Sequence, residues 1–151
     1  MNETFVLLLT LVVFGCAAAR PASLGIADGR LSPCPNSPNC VSSQGPDKAH
    51  LIEPMRYETT EQQAKDRLVK VIQAMKRSKI ITNSDHYIHA EFTSAFFRFI
   101  DDAEFYFDDT VKTIHMRSAS RIGYSDFGVN RKRMEEVRSG FQNVSQVQDK
   151  K

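Results

Sequence analysis

A histidine and a glutamate separated by one residue have the types needed for acid–base chemistry. The segment Tyr87–Thr93 alternates polar and apolar residues, which is typical of a strand with one wet face. On such a strand His89 and Glu91 point to the same side. A glutamate can fix the tautomer of an imidazole that exchanges a proton near neutral pH, and Arg117 or Arg121 would steady developing negative charge. The favoured alternative is a structural polar pair on a solvated sheet face.

Neither a metal nor a cofactor is predicted. His86 lies on the opposite face of the strand from His89, and His115 lies on another strand, so three ligands do not converge. The chain also lacks a Walker loop, a Gly-x-Ser-x-Gly elbow, a His-Glu-x-x-His motif and a dinucleotide fingerprint. These absences exclude only the common designs of nucleotide, hydrolase and zinc sites.

The segment Arg117–Arg133 is the richest in recognition residues. It surrounds a predicted strand-to-helix turn that contains Gly123 and Gly128. Guanidinium groups and the free N–H groups of a helix N-terminus suit carboxylates or phosphates, so an anionic small ligand is one interpretation. The favoured alternative is an internal network of ion pairs with the acidic run Asp101–Glu104. The candidate ligand-binding residues are His89, Glu91, Arg117, Ser118, Ser120, Arg121, Tyr124, Asp126, Asn130 and Arg131.

The start of the chain has the pattern of an export signal. Phe5–Phe14 is an uncharged apolar run of signal-peptide length, too short to span a bilayer as a helix. Val13–Cys16 resembles a lipoprotein box, and acylation of Cys16 would anchor the domain to a membrane. The alternative is ordinary cleavage after Ala17–Ala19, which would discard Cys16. The sequence predicts export, either as a lipoprotein of the periplasm or cell envelope, which is preferred, or as a secreted protein.

The cysteines agree with an exported chain. The chain has three, and loss or lipidation of Cys16 leaves the pair Cys34 and Cys40. Three prolines stiffen the segment Ser32–Cys40, and closing so short a loop contributes only about 2 to 3 kcal/mol in the chain-entropy model. A zinc site would need two more ligands, so a disulfide is preferred.

Composition and charge favour one globular domain. Of the 151 residues, 41% are hydrophobic and 25% are charged, which is ordinary globular usage. The formal net charge is +2, and basic residues are mixed with acidic ones. Nucleic-acid binding is therefore not predicted.

Hydrophobic periodicity predicts a helix, a run of strands and a second helix. Residues Thr59–Arg77 form an amphipathic helix, capped by Thr59 with Gln62 or by Thr60 with Gln63. Four β-branched and aromatic runs follow, and their connections are too short to hold crossover helices. A last helix begins at Ser125 or Asp126. The predicted core residues include Phe97 and Phe99 on the sheet, and Phe127, Met134, Val137 and Phe141 on the last helix.

The predicted fold class is α+β. A single antiparallel sheet of about four strands is packed by two helices in the order α-β-β-β-β-α, preceded by a long irregular N-terminal arm. The expected division is a signal over residues 1–19, the irregular arm with its cysteine loop over 20–54, the α+β domain over 55–141 and a flexible tail over 142–151.

Four ordered segments resemble the family catalogued as domain of unknown function 1499. The resemblance covers nearly everything after Leu31 and implies a compact domain associated with an envelope or organelle. It carries no established activity and no catalytic residues. The segments are Cys34–Gln44, His89–Phe92, Asp101–Phe105 and Arg117–Arg133.

Two functions from different classes follow. The preferred hypothesis is a non-catalytic binding or assembly domain, held at a membrane, that engages an anionic ligand or a protein partner through the wet sheet face and the Arg117–Arg133 segment. The alternative is a small envelope hydrolase or transferase with His89 and Glu91 as the acid–base pair. Arginines already paired with internal carboxylates would favour the first.

Overall fold

Two helices and two antiparallel sheets make up residues 18–148, which are the residues that the computed structural model describes. The expected export signal, including Cys16, lies outside them. In chain order the elements are β1 (Ile26–Ala27), β2 (Arg30–Leu31), β3 (Cys40–Ser42), β4 (Met55–Arg56), α1 (Glu61–Ala74), β5 (Ser78–Ser84), β6 (Tyr87–Thr93), β7 (Ile100–Asp108), β8 (Thr113–Ser120) and α2 (Val129–Gln148).

The predicted single sheet of about four strands with an irregular arm is wrong. The main sheet has six strands in the order β3-β8-β7-β6-β5, with β4 also pairing with β8, and β1 and β2 form a separate two-stranded sheet. The arm supplies β3, in which Cys40 pairs with Ala119, and β4 follows directly after the arm, with Met55 paired to Ile114. All pairings between named strands are antiparallel, as expected.

Helix α1 begins at one of the two predicted caps. Thr60 accepts a hydrogen bond from the Gln63 backbone, and the Gln63 side chain binds the Thr60 backbone in return. This capping box satisfies two of the N–H groups that a helix start leaves unpaired. The apolar stripe that follows the cap is buried, with Leu68 and Ile72 fully inaccessible to solvent.

The core lies between the two helices and one face of the main sheet. Leu68 and Ile72 of α1 and Met134 and Val137 of α2 meet the face that carries Phe105. Alternation along the strands puts apolar side chains on this face and leaves the opposite face polar. The polar face is the first candidate site.

Three aromatic residues predicted for the core are exposed. Phe97 and Phe99 lie in the β6–β7 loop with 78% and 45% of their surface accessible, and Phe127 before α2 is 97% accessible. The loop begins after Thr93, so Phe97 and Phe99 lie outside the strands and do not follow their alternation of buried and exposed side chains.

Helix α2 runs from Val129 to Gln148, so it begins a few residues after the predicted cap Asp126 and continues beyond Phe141. The Asp126 carboxylate accepts a hydrogen bond of 2.7 Å from the Asn130 backbone. Met134, Val137 and Phe141 are buried as expected. Within residues 18–148, no helix is both long and apolar enough to cross a membrane.

Candidate functional site

The polar face of the main sheet lies beneath the N-terminal arm. The register of β6, β7 and β8 places His89 opposite Glu104, and Glu104 opposite Arg117. The backbone N–H of Gly25 in the arm donates to Glu104 Oε1 at 2.8 Å, and Arg20 donates to Glu91 Oε1 at 2.8 Å. The face expected to be wet is therefore covered, and His89 is only 2% exposed.

The central histidine is bonded to an aspartate rather than to the predicted glutamate. His89 Nε2 lies 2.7 Å from Asp102 Oδ1. Arg121 holds both oxygens of the same carboxylate, with Nε 2.8 Å from Oδ2 and Nη2 2.7 Å from Oδ1. Its Nη2 also donates to Glu91 Oε1 at 2.5 Å. His89 and Glu91 are thus neighbours in one cluster without being partners.

These contacts keep both carboxylates ionised. Burial raises the pKa of Asp102, but hydrogen bonds from Arg121 and His89 lower it by more, so its pKa lies below the ordinary value of 3.8. Burial also raises the pKa of Glu91, and hydrogen bonds from Arg20 and Arg121 bring it below 4.5. The Asp102 hydrogen bond in turn raises the pKa of Arg121. The charges therefore stabilise one another inside the fold.

A second set of charges lies next to the first. Arg117 Nη1 donates to Glu104 Oε2 at 2.9 Å, and the Tyr87 hydroxyl donates to Glu104 Oε1 at 2.7 Å. Burial and the nearby carboxylate raise the pKa of Tyr87, so its hydroxyl stays protonated. The buried Arg117 Nε finds no hydrogen-bond partner among residues 18–148. We define the arm-covered network as Arg20, Tyr87, His89, Glu91, Asp102, Glu104, Arg117 and Arg121.

The four polar residues around the start of α2 are used to join elements. Asn130 Nδ2 donates to Ser120 Oγ at 3.0 Å and to Asp126 Oδ2 at 2.8 Å, and Asn130 Oδ1 accepts from Ser118 Oγ at 2.5 Å. Asn130 Nδ2 also donates to the Asn39 carbonyl at 3.1 Å, beside the cysteine loop. This cluster therefore fastens α2 to β8 and to the arm.

The remaining two candidates lie apart from that cluster. Arg131 donates to the carbonyl oxygens of Leu51 and Ala49 at 2.7 and 2.6 Å. Tyr124 projects from the β8–α2 turn and is 73% exposed. Of the candidate ligand-binding residues, Tyr124 is the most accessible.

A small recess lies between the arm and the network. It encloses about 360 Å³ and is lined by Asp102, Arg117, Ser120 and Arg121 from the sheet side and by the segment 33–35 from the arm. The expected disulfide between Cys34 and Cys40 is present, with the two Cα atoms 5.6 Å apart. The disulfide loop thus forms one wall of the recess.

One group of side chains in the described part of the chain has the spacing of a cation site. Ligand atoms of His89, Glu91 and Asp102 lie within 4.8 Å of one another. Both carboxylates already bind the guanidinium of Arg121. A metal ion would have to displace that internal cation, so the donor set favours the ion-pair network.

A larger cleft lies on the opposite side of the sheet, between α1 and α2. It encloses about 950 Å³, and we name it the helix cleft. Its floor is apolar and includes Val71, Met75 and Phe92. Its rim carries four cationic side chains, which are Lys70, Lys76, Arg77 and Lys132, and a fifth, Arg133, is bound to Asp101 at 2.7 Å.

The rim cations differ from the buried arginines in lacking acidic partners. Within residues 18–148, Lys70, Lys76 and Lys132 form no ion pair, and Arg77 donates only to the Thr93 carbonyl. Glu136 is the single carboxylate among the lining residues. The cleft therefore carries an excess of positive charge over an apolar floor.

Comparison with known proteins identifies the family. A family model described as a protein of unknown function, DUF1499, matches residues 30–141. The chain belongs to the DUF1499 family. No curated protein and no solved structure matches the chain.

The DUF1499 match includes nearly all of the helix cleft but only part of the arm-covered network. It includes the disulfide, the main sheet and nearly all residues lining the helix cleft. Arg20 and Gly25, which close the arm over the network, precede it. The buried partners of the arm-covered network are thus part of the DUF1499 region, and two of its covering contacts are not.

Sequence reasoning missed the helix cleft because it treated the polar side of α1 as solvated surface. The periodicity of the predicted helix Thr59–Arg77 puts Lys70 and Lys76 on its polar side, and nothing local shows that α2 lies beside them. An available signal was the charge imbalance, since cations cluster just after the end of α1 and in the first turns of α2. The partner of His89 was missed because Asp102 is brought to it only by the β6–β7 register.

Proposed function

We propose that this DUF1499 chain is an exported, membrane-held binding module, not an enzyme, and that it takes an anionic ligand in the helix cleft. The observation that carries this proposal is a contrast in pairing. The buried arginines of the arm-covered network are bonded to carboxylates, whereas four of the five rim cations of the helix cleft have no carboxylate partner in the described structure.

The arm-covered network has the properties of a structural element. A catalytic acid or base must reach its substrate, and His89 is buried beneath the arm with its Nε2 bonded to Asp102. Arg121 would have to release two carboxylates to bind an external anion. Leaving those charges buried without a partner is costly, which supports a stabilising role.

The helix cleft suits an anionic ligand with an apolar part. Its rim offers ammonium and guanidinium donors for a phosphate or carboxylate, and the side chains of Val71, Met75 and Phe92 offer contact to hydrocarbon. A volume of about 950 Å³ is large enough for a small molecule. An amphiphilic anion therefore matches both parts of the lining.

Export and membrane attachment rest on the sequence and on the disulfide. The apolar run Phe5–Phe14 and the lipoprotein-like Cys16 support an envelope or secreted location. The bond between Cys34 and Cys40 suits an oxidising compartment, since thiols in the cytosol are kept reduced. A covalent lipid on Cys16 would hold the module at the membrane surface.

The proposed ligand class can be tested with decyl phosphate, used as a monomeric anionic amphiphile in isothermal titration calorimetry. We expect saturable binding that weakens about tenfold in Lys70→Gln and again in Lys132→Gln, because a hydrogen bond to a charged group contributes about 1.5 kcal/mol or more. Lys79→Gln is the matched control, since Lys79 is an exposed lysine outside the cleft. The β5–β6 register places its backbone opposite that of Glu91.

Two results would contradict the assignment of the helix cleft. One is equal binding of decyl phosphate by all three lysine variants, which would place the ligand elsewhere. The other is equal binding of decanol, which would remove the need for the rim cations.

The second candidate is a small hydrolase or transferase, for which one observation speaks. His89 Nε2 and Asp102 form the base-and-orienter contact that such enzymes use, and Ser120 and Arg121 line the adjacent recess. This function requires the arm to move away from the sheet. Hydrolysis of an ester or phosphoester probe that is lost in His89→Gln would favour it over the binding module.

A further inference from the structure

Two loops lie side by side at one end of the main sheet. The β6–β7 loop spans residues 94–99, and the β8–α2 turn spans residues 121–128. The backbone N–H of Arg121 donates to the Ile100 carbonyl at 3.1 Å, which joins the start of the turn to the end of the loop. The segment just after α1 reaches the same end, since Thr93 N donates to the Arg77 carbonyl at 3.0 Å.

Both loops present aromatic side chains to solvent. We name these residues the loop face, and their accessible fractions are 91% for Phe96, 78% for Phe97, 45% for Phe99, 73% for Tyr124 and 97% for Phe127. Soluble proteins bury most large aromatic side chains, so a group of this kind marks a contact surface.

The backbone holds one of these rings outward at a conformational cost. Phe127 has φ of 54°, a left-handed conformation that is rare for a bulky residue. Hydrogen bonds on both sides of it fix the turn, because Gly128 N donates to Asp126 Oδ1 at 3.0 Å and Phe127 N donates to Ser125 Oγ at 3.3 Å. Strain of this kind persists where the surrounding structure imposes it and is concentrated at functional sites.

Cations border the loop face. Lys76 and Arg77 lie just after α1, Arg98 lies between two of the loop phenylalanines, and Lys132 lies in the first turn of α2. Two of the acidic groups nearby are already engaged, since Asp101 binds Arg133 and the Asp126 carboxylate accepts backbone N–H groups. The combination of exposed rings and unpaired cations is complementary to a layer of anionic headgroups over hydrocarbon.

The described chain also begins at this end. The Ala18 carbonyl accepts a hydrogen bond of 3.2 Å from Arg121 Nη1, next to the turn that carries Tyr124 and Phe127. The seventeen preceding residues contain the apolar run Phe5–Phe14 and Cys16. An apolar or acylated segment that enters a bilayer from this point brings the loop face against the same bilayer.

We propose that the loop face docks onto the surface of an anionic lipid bilayer. A second copy of the chain fits less well, because symmetric contact through this end would place Lys76, Arg77 and Lys132 against their own copies. The bilayer supplies the opposite charge and an apolar phase together. The loop face shares Lys76, Arg77 and Lys132 with the rim of the helix cleft, but docking requires no ligand in the cleft.

The chain contains no tryptophan, so a single one can report on docking. The full chain carrying Phe97→Trp is added to vesicles of phosphatidylglycerol whose acyl chains are brominated. We expect the emission to move to shorter wavelength and to be quenched by the bromine. Phe127→Trp provides a second reporter on the same face. Val111→Trp is the matched control, since Val111 is 57% exposed in the β7–β8 turn at the opposite end of the sheet.

Charge variants test the headgroup requirement. The double change Lys76→Glu and Lys132→Glu in the Phe97→Trp chain should reduce the ratio of docked to undocked domain by at least about fivefold for each lysine, since a cation at an anionic surface contributes about that factor. Vesicles of phosphatidylcholine should give weak quenching, and salt should weaken docking to phosphatidylglycerol.

Several outcomes would overturn the docking of this face. The first is an unchanged spectrum at positions 97 and 127 on phosphatidylglycerol vesicles. The second is equal quenching at position 111, which would mean that the domain meets lipid without orientation. The third is a concentration-dependent shift without vesicles, which would identify a second copy as the occupant. Equal quenching on both lipids would overturn the assignment of anionic headgroups.

Discussion

Two regions of the molecule use similar residues in opposite ways. One is the arm-covered network, and the other is the end of the domain that carries the helix cleft and the loop face. In the network, Arg121 is bonded to two carboxylates and shielded from solvent. In the other region, Lys132 has no ion-pair partner in the described structure, and the side chain of Phe127 is exposed to solvent. The density of polar residues in a sequence therefore says little about recognition. What distinguishes a binding surface is the shortage of internal partners.

The largest expected effect comes from removing the central arginine of the network. Arg121→Ala would leave Asp102 and Glu91 ionised and without their shared partner. Breaking a buried ion pair from one side costs about 3 to 5 kcal/mol. We expect the free energy of unfolding, measured by urea denaturation, to fall by that amount.

The matching change in the second region should lower the free energy of unfolding much less. Lys132→Ala removes an exposed cation with no ion pair among residues 18–148, and surface substitutions of this kind change stability by within about 0.5 kcal/mol. Comparable losses in Arg121→Ala and Lys132→Ala would break the distinction between a structural and a recognition region.

An intermediate effect is expected from opening the disulfide loop over the network. The double change Cys34→Ser and Cys40→Ser removes the bond that closes one wall of the recess. A loop this short contributes about 2 to 3 kcal/mol in the chain-entropy model. Urea denaturation measures the loss, and lipid docking of the Phe97→Trp chain should be unaffected because the disulfide lies outside the loop face. A loss below about 1 kcal/mol, or impaired docking, would contradict this division.

The sequence predicted the elements with regular periodicity and missed those without it. Helix α1 has an apolar stripe, and strands β5 to β8 have an alternation of apolar and polar residues, that are long enough to recognise in the sequence. Strands β3 and β4 contain three and two residues, and only their pairing with β8 makes them strands. The number of strands in the sheet therefore depended on tertiary contacts that no local pattern encodes.

The residue types at the candidate site could be predicted from the sequence, but the burial of those residues beneath the N-terminal arm could not. Alternation placed His89 and Glu91 on one face, and the structure does bring them together with Arg121. It could not show that the arm would cover that face, because Gly25 contacts Glu104 across 79 residues of sequence. The exposed Phe97 and Phe99 were assigned to the core because hydrophobicity alone does not distinguish a loop from the strand beside it.

Within the network, the smallest effect is expected at its edge, where the arm meets it. Arg20 binds Glu91 at 2.8 Å, but half of the Arg20 side chain is exposed, so the pair is partly screened. Arg20→Ala should lower the free energy of unfolding at neutral pH by less than about 1 kcal/mol, the range of exposed ion pairs. Urea denaturation of both proteins, repeated from neutral to acidic pH, measures the difference.

The pH dependence of that difference has a definite sign. Burial raises the pKa of Glu91, yet hydrogen bonds from Arg20 and Arg121 bring it below its ordinary value of 4.5. The native state thus binds fewer protons than the unfolded chain, so the pair contributes fully above the ordinary pKa and is lost as pH falls through the lowered pKa. The parent chain and Arg20→Ala should therefore converge in stability at acidic pH. A gap that persists once Glu91 is protonated would mean that Arg20 acts by packing the arm rather than by pairing with the network.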